Sequence, residues 1–254
     1  MTSSGGIIAL IPARMGSSRF PGKPLAAQLG KPMIGHVFER VRRNAALALT
    51  AVATCDREIA DYIESLGGCA VMTGMHHERA SDRCAEALQL LEAQYGRRYD
   101  IVVMVQGDEP MTHEEMISEA LAPMLADASV QVVNLMAPIE SREEFEDRNC
   151  IKVVCDLDGN ALYFSREPIP TRCRTADIPM HKQVCVIPFR RDFLLDYTRM
   201  VPTPLEVTES VDMMRVLERG YRVRMALTRY RTRAVDTPAD LVRVARLMEG
   251  QQCP

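Results

Sequence analysis

From Arg14 to Pro24 the chain reads Arg-Met-Gly-Ser-Ser-Arg-Phe-Pro-Gly-Lys-Pro. Gly16 and Gly22 let the backbone come close to a ligand. Ser17, Ser18, Arg14, Arg19 and Lys23 all offer donors to anionic oxygens. That chemistry suits a nucleoside triphosphate or another polyanion; the alternative is a basic loop that is merely solvated. The loop is not a Walker A loop. Gly16 to Gly22 is one residue too long, and Pro24 stands where the magnesium-binding hydroxyl would be. Nor is the dinucleotide pattern G-x-G-x-x-G present.

Two further segments carry acidic groups. Val105-Gln106-Gly107-Asp108-Glu109-Pro110 places a carboxylate beside a glycine. Asp108 there could hold a magnesium ion on a phosphate, or Asp108 or Thr112 could cap the helix that follows. In Val235-Asp236-Thr237-Pro238, Asp236 could cap the last helix or join Asp108 in supplying the one or two carboxylates that magnesium usually takes from protein.

The elements that must position these residues are legible from hydrophobic patterning. Ile7–Pro12 is a continuous apolar run, the mark of a strand buried on both faces, and the basic loop follows it directly. Pro32 to Arg43 has a helical apolar face (Met33, Ile34, Val37, Phe38, Val41). Strands are expected at 49–54, 69–72 and 101–106, with helices at 57–66, 81–95 and 112–125. The order is βαβαβ, as in a doubly wound sheet, whose ligands bind at the carboxyl ends of the strands. The basic loop and Asp108 both lie at such ends. Beyond residue 130 the pattern is less regular. Strands are expected at 130–136, 151–155, 161–164, 183–188 and 222–227, and helices at 141–146, 190–198, 209–218 and 238–248. Asp156-Leu157-Asp158-Gly159-Asn160 reads as a hairpin turn. No linker separates two domains. The expectation is one α/β domain over 1–254, with one sheet of doubly wound character and a hairpin-bearing insertion near 140–182.

Composition narrows the function. The net charge of −3 predicts no attraction to nucleic acid or anionic membranes. No apolar stretch is long enough to span a bilayer, and Met1–Gly6 has no signal-peptide character, so the expected location is the cytoplasm. Eight cysteines (Cys55, Cys69, Cys84, Cys150, Cys155, Cys173, Cys185, Cys253) include no C-x-x-C pair and read as buried reduced thiols. The five histidines form no zinc pattern. Of 31 basic residues only Lys23, Lys31, Lys152 and Lys182 are lysine. A GC-rich genome accounts for most of that bias, and heavy use of bidentate anion binding would add to it.

Taken in order, eight segments resemble the cytidylyltransferases that activate 3-deoxy-manno-octulosonate (Kdo), the sugar acid of lipopolysaccharide. They are Ile11–Arg14 with Pro21–Leu25; Gly30–Ile34; Ser81–Glu86; Val105–Pro110; Ile151–Val154; Ala161–Arg166; Pro204–Glu206; and Val235–Pro238. The likeness runs from Ile7 to about Leu247. It implies an α/β fold with a Rossmann-like, mixed, mostly parallel sheet flanked by helices, a homodimer built on a small hairpin-bearing lobe, CTP as substrate and a magnesium ion. By that resemblance Arg14 and Lys23 hold the triphosphate, with Ala13 and Ser17 beside it. Ser81, Arg83 and Gln106 surround the cytidine, and Asp108 and Asp236 bind magnesium. Arg14, Lys23 and Asp108 are then the catalytic set, and an acceptor oxygen attacks the α-phosphorus with release of pyrophosphate.

The departures from the family cluster on its acceptor side. The usual Ser-Gly-Thr-Asp-Arg is Arg79-Ala80-Ser81-Asp82-Arg83 here. The strand His-Ile-Gly-Ile-Tyr is Gln183-Val184-Cys185-Val186-Ile187, and Glu-x-x-Glu-Gln is Glu209-Ser210-Val211-Asp212-Met213. Arg79, Arg166, Gln183 and Glu209 are therefore the expected acceptor-binding residues. Fewer hydroxyl partners and an added guanidinium favour a small, dense anion, since a site built for hydroxyls is penalised when they are missing. Phosphonate cytidylyltransferases resemble the Kdo enzymes, so the expected acceptor is a phosphonate such as phosphonoformate. The alternatives are Kdo itself and a nucleotide-binding protein without turnover.

Overall fold

The apolar run near the N-terminus forms β1 (Gly6–Ala13), with Ile8 to Ile11 fully buried. In the computed structural model, which describes residues 5–17, 19–174 and 178–251, the loop after β1 folds into a short 3-10 turn (Lys23–Leu25). The two-residue strands β2 (Ala27–Gln28) and β3 (Lys31–Pro32) follow. Leu29 and Gly30 join them with φ of 48° and 83°, the left-handed pair that a tight hairpin requires. α1 (Met33–Val41), β4 (Leu47–Thr54), α2 (Arg57–Ser65), β5 (Cys69–Met72), α3 (Ala80–Tyr95), β6 (Tyr99–Val105) and α4 (Glu114–Ala126) come next. β1 pairs in parallel with β4 and β6, and β4 with β5, in the order β6-β1-β4-β5. All four strands point their carboxyl ends the same way, so the loops after β1, β4, β5 and β6 emerge along one edge.

The chain divides into two compact units, Met1–Ser118 with Arg231–Pro254, and Glu119–Tyr230. The second unit has its own sheet, where a single sheet had been expected. It contains β7 (Val133–Pro138), α5 (Arg142–Glu146), β8 (Lys152–Cys155), β9 (Ala161–Ser165), β10 (His181–Val184), β11 (Val186–Arg190), α6 (Arg191–Tyr197), α7 (Pro204–Glu209), α8 (Asp212–Glu218) and β12 (Arg224–Leu227). Its strand order is β12-β7-β10-β8-β9, antiparallel except for β12 against β7. The expected hairpin is β8–β9. At its turn the Asp156 carboxylate accepts the N–H of Asn160 at 2.7 Å, and Gly159 takes φ 81°. Lys152 is fully buried on β8 and donates to the carbonyls of Asp147, Cys150 and Arg166 at 2.7–2.8 Å.

Three expectations change. The strand expected over 183–188 is two strands broken at Cys185, and the helix expected over 209–218 is α7 and α8. Ser210 breaks that helix with φ 52°. Apolar spacing does not register one left-handed residue between two turns of the same period. Among the described cysteines all are free, but only Cys84 is buried and Cys173 is exposed; Cys253 and Ser18 lie outside the described residues. Burial pushes the Cys150 thiol up to about 12.

The chain closes with α9 (Pro238–Gln251) in the first unit. Met33, Met111, Val235, Val244 and Met248 form a buried cluster, with Phe20, Leu29, Leu241 and Leu247 packed on it. This cluster fixes Val235 and draws Phe20 of the basic loop onto the same core. Among the described residues no helix is long and apolar enough to cross a membrane.

Candidate active site

Lys23 lies at the centre of the site. Its Nζ donates to Asp108 Oδ2 at 2.8 Å and to the carbonyl of Val235 at 2.8 Å, and it lies 3.9 Å from Asp236 Oδ1. The N–H of Val235 donates to the carbonyl of Asp108 at 2.9 Å. The basic loop, the end of β6 and the segment before α9 are thus joined by three hydrogen bonds, and the two carboxylates face one ammonium. Arg19 completes the cluster with a 2.8 Å bond to Asp236 Oδ1.

Neither aspartate is used as a helix cap. At α9 the capping is done by Thr237 and Asp240. The hydroxyl of Thr237 accepts Asp240 N–H at 3.2 Å, and Asp240 Oδ2 accepts Thr237 N–H at 2.9 Å, a reciprocal box with proline between. Asp236 is released to the site. Thr112 donates its hydroxyl to the Glu109 carbonyl, and Asp108 binds Lys23. Gly107 allows this placement. A Cβ there would lie 3.0 Å from the Pro12 carbonyl oxygen and 3.1 Å from Ile34 Cδ1.

Burial raises the Asp236 carboxyl above its ordinary value, and the neighbouring Asp108 charge raises it further; Lys23 and Arg19 oppose the shift. Two carboxylates on one ammonium, one of them resisting ionisation, is an arrangement that a hard cation would complete. No group of three or more His, Cys, Asp or Glu side chains able to hold a metal occurs among the described residues. A cation between Asp108 and Asp236 would therefore fill its shell with phosphate oxygens and water, which is how magnesium binds at nucleotide sites. The residues fit that ion.

The other expected nucleotide residues lie in the same unit. Ala13 ends β1 and is buried, and Arg14 and Ser17 follow it. Arg14 Nη1 donates to the His77 carbonyl at 3.4 Å. Gln106, half-buried, follows β6. Ser81 and Arg83 are buried in the first turns of α3. Arg83 Nη1 binds Thr73 Oγ1 at 2.5 Å and the Gly74 carbonyl at 3.3 Å. Its Nη2 is buried and has no partner among the described residues, a donor left for a ligand, since an orphaned buried donor is otherwise costly. Glu86, which the sequence reading gave no role, accepts Gly74 N–H at 2.9 Å and contacts His77 Nε2. Arg83 and Glu86, one helical turn apart, thereby grip the loop that seats Arg14. Helical i, i+3 spacing could have paired these two residues, but not with that loop.

Of the expected acceptor residues, Arg79 is in the first unit, at the N-cap of α3. The other three lie in the second. Glu209 accepts from Tyr163 Oη, Ser165 Oγ and the Arg166 N–H at 2.8–3.1 Å. The Arg166 guanidinium donates to the carbonyls of Glu209, Arg148 and Ser210. Gln183 donates to Asn134 Oδ1 at 2.7 Å. Arg166 and Glu209 are thus brought together, tying the end of β9 to that of α7. Of the substituted positions, Ile187 and Met213 are buried.

Residues 8–225 match the family model described as cytidylyltransferase. A 3-deoxy-manno-octulosonate cytidylyltransferase of Geobacter metallireducens is 43% identical over 94% of this chain and 96% of its own length. One from Geotalea uraniireducens is 42% identical over 94% and 97%. A solved CMP:2-keto-3-deoxy-manno-octonic acid synthetase, in complex with CTP, superposes with a TM-score of 0.86 at 36% identity, covering 97% of this chain and all of that one.

Proposed function

The chain belongs to the cytidylyltransferase family, and from that premise we propose that it transfers CMP from CTP to a 3-deoxy-manno-octulosonate-type sugar acid. The nucleotidyltransferase chemistry is that of the family. The observation that carries it onto these residues is the Lys23 ammonium held against Asp108 and Asp236 at the carboxyl edge of a parallel sheet. The acceptor reading is supported by the relatives, which are named for this sugar acid over almost their whole length. It takes precedence over the phosphonate that the sequence alone placed first.

Arg14 and Lys23 bind and neutralise the triphosphate. The spare Arg83 donor, with Ser81 and Gln106, orients the cytidine. The acceptor hydroxyl oxygen forms a bond to the α-phosphorus as the bond to the bridging oxygen of pyrophosphate breaks, and the hydroxyl proton goes to solvent. Such a displacement needs charge neutralisation and in-line placement more than covalent help. Magnesium held by Asp108 and Asp236 would supply neutralisation and a lower pKa for the attacking hydroxyl. The same reading includes a homodimer, which light scattering in solution checks.

A second reading, transfer to a small phosphonate, is favoured by one observation: Arg79, Gln183 and Cys185 replace the serine, histidine and glycine usual in Kdo enzymes. Pyrophosphate release with CTP, magnesium and each acceptor in turn separates the two. Release with the sugar acid and not with phosphonoformate is expected. The reverse would establish the phosphonate reading, and release with neither acceptor would overturn both. Asp108→Ala should abolish turnover while leaving the melting temperature near that of the wild type.

A further inference from the structure

Met15 is the hub of the basic loop. Its carbonyl accepts the N–H of Ser17 at 2.9 Å and that of Gly22 at 3.0 Å, so it fixes the loop between Arg14 and Lys23. Its own N–H is given to Asp56 Oδ2 at 2.8 Å. Asp56 is the N-cap residue of α2, with the extended backbone of that position (φ −110°, ψ 118°), yet its side chain makes no capping bond. Aspartate at an N-cap ordinarily accepts a free N–H of the first turn. Here the carboxylate turns away from its own helix to the neighbouring loop.

Sheet register explains the reach. β1 and β4 are parallel neighbours, with Ala13 opposite Thr54. Met15 and Asp56 are each two residues beyond that last pair, so the strands deliver them side by side. Asp56 is itself held: its N–H donates to Thr54 Oγ1 at 3.1 Å, and its carbonyl accepts the N–H groups of Ile59 and Ala60. A carboxylate beside a polyanion site opposes binding by its charge, so its presence there calls for a gain of another kind. We infer that Asp56 is a positioning residue for the triphosphate loop, tying Met15 to the sheet so that Arg14 and Lys23 meet the phosphates from fixed places. The inference rests on the reading that this loop holds the CTP triphosphate.

The two possible effects of Asp56 have opposite signs, which makes the test decisive. Asp56→Ser retains a good N-cap for α2 but is too short to reach Met15. Calorimetric titration with CTP and magnesium should show binding weakened about tenfold or more, with an unchanged or higher melting temperature. Amide exchange around Met15 should accelerate. Asp56→Asn keeps an acceptor oxygen and should recover most of the affinity. Equal or tighter binding by Asp56→Ser would overturn the inference, as would Asp56→Asn binding as weakly as Asp56→Ser. Lys23→Ala is the companion arm. If it binds CTP as the wild type does, the reading of the loop fails; if it weakens binding and Asp56→Ser does not, only the role of Asp56 fails.

Discussion

A lysine surrounded by oxygen atoms explains why some positions resist the arginine bias of this chain. Lys152 gives its three protons to three carbonyls, and Lys182 is buried against Glu144. Lys23 divides its donors among Asp108, the Val235 carbonyl and Asp236. A compact ammonium fits such tetrahedral settings where a planar fork does not. The same site sets a cost on Asp236. Its folded pKa is raised by burial and by Asp108, so the folded protein binds the extra proton more tightly than the unfolded chain does. Stability is then lost as pH rises from the ordinary aspartate value through the raised one. Asp236→Asn should therefore melt higher than the wild type at neutral pH without ligand. The difference should vanish near pH 3, where both side chains are neutral, and turnover should be lost. A lower melting point at neutral pH would show that the Arg19 and Lys23 contacts outweigh the burial.

Elements carried most of what the sequence revealed, and their joints carried most of what it hid. The periods of β1, α1, α3 and β6 were legible because burial on one or both faces writes a regular pattern, and the loops at their ends marked Lys23 and Asp108 as candidates. That Asp236 does not cap α9 was not legible, because the capping is shared between Thr237 and Asp240, either of which lies within reach of the same turn. Asp56 was hidden because its local context is that of an ordinary N-cap, and its partner lies 41 residues away. Likewise, Glu209 is satisfied by residues 43–46 positions earlier. Gly107 shows how one joint can be tested. Gly107→Ala would press a methyl group against the Pro12 carbonyl, which belongs to β1 and cannot turn aside. A loss of roughly 1–3 kcal/mol in urea unfolding is expected, with turnover falling more than stability as Asp108 is displaced.

Across the whole molecule, each unit contains a histidine that full or partial burial disfavours in its charged form. In the first, His36 Nε2 is 2.6 Å from the Gln28 carbonyl. Burial lowers its pKa, the cations of Lys31 and Arg40 add to the shift, and the Gln28 carbonyl and Glu39 oppose it. In the second, burial alone lowers His181 on β10. The unfolded chain takes up these protons near pH 6.5 and the folded protein only at lower pH. The stability these residues contribute is complete above about pH 6.5 and is lost as pH falls toward the folded values, by at most about 1.4 kcal/mol per pH unit for each histidine. Thermal melts between pH 7.5 and 5 should show a falling midpoint. His36→Gln keeps a donor for the Gln28 carbonyl without a titrating ring, so it should flatten the fall contributed by the first unit. His181→Gln should do the same for the second. Because His36 and His181 lie in different units, the pair of variants also reads cooperativity. If the units unfold together, either substitution flattens a single transition. If they unfold apart, each flattens only its own, and an unchanged acid slope in both variants would remove the histidines from the acid sensitivity altogether.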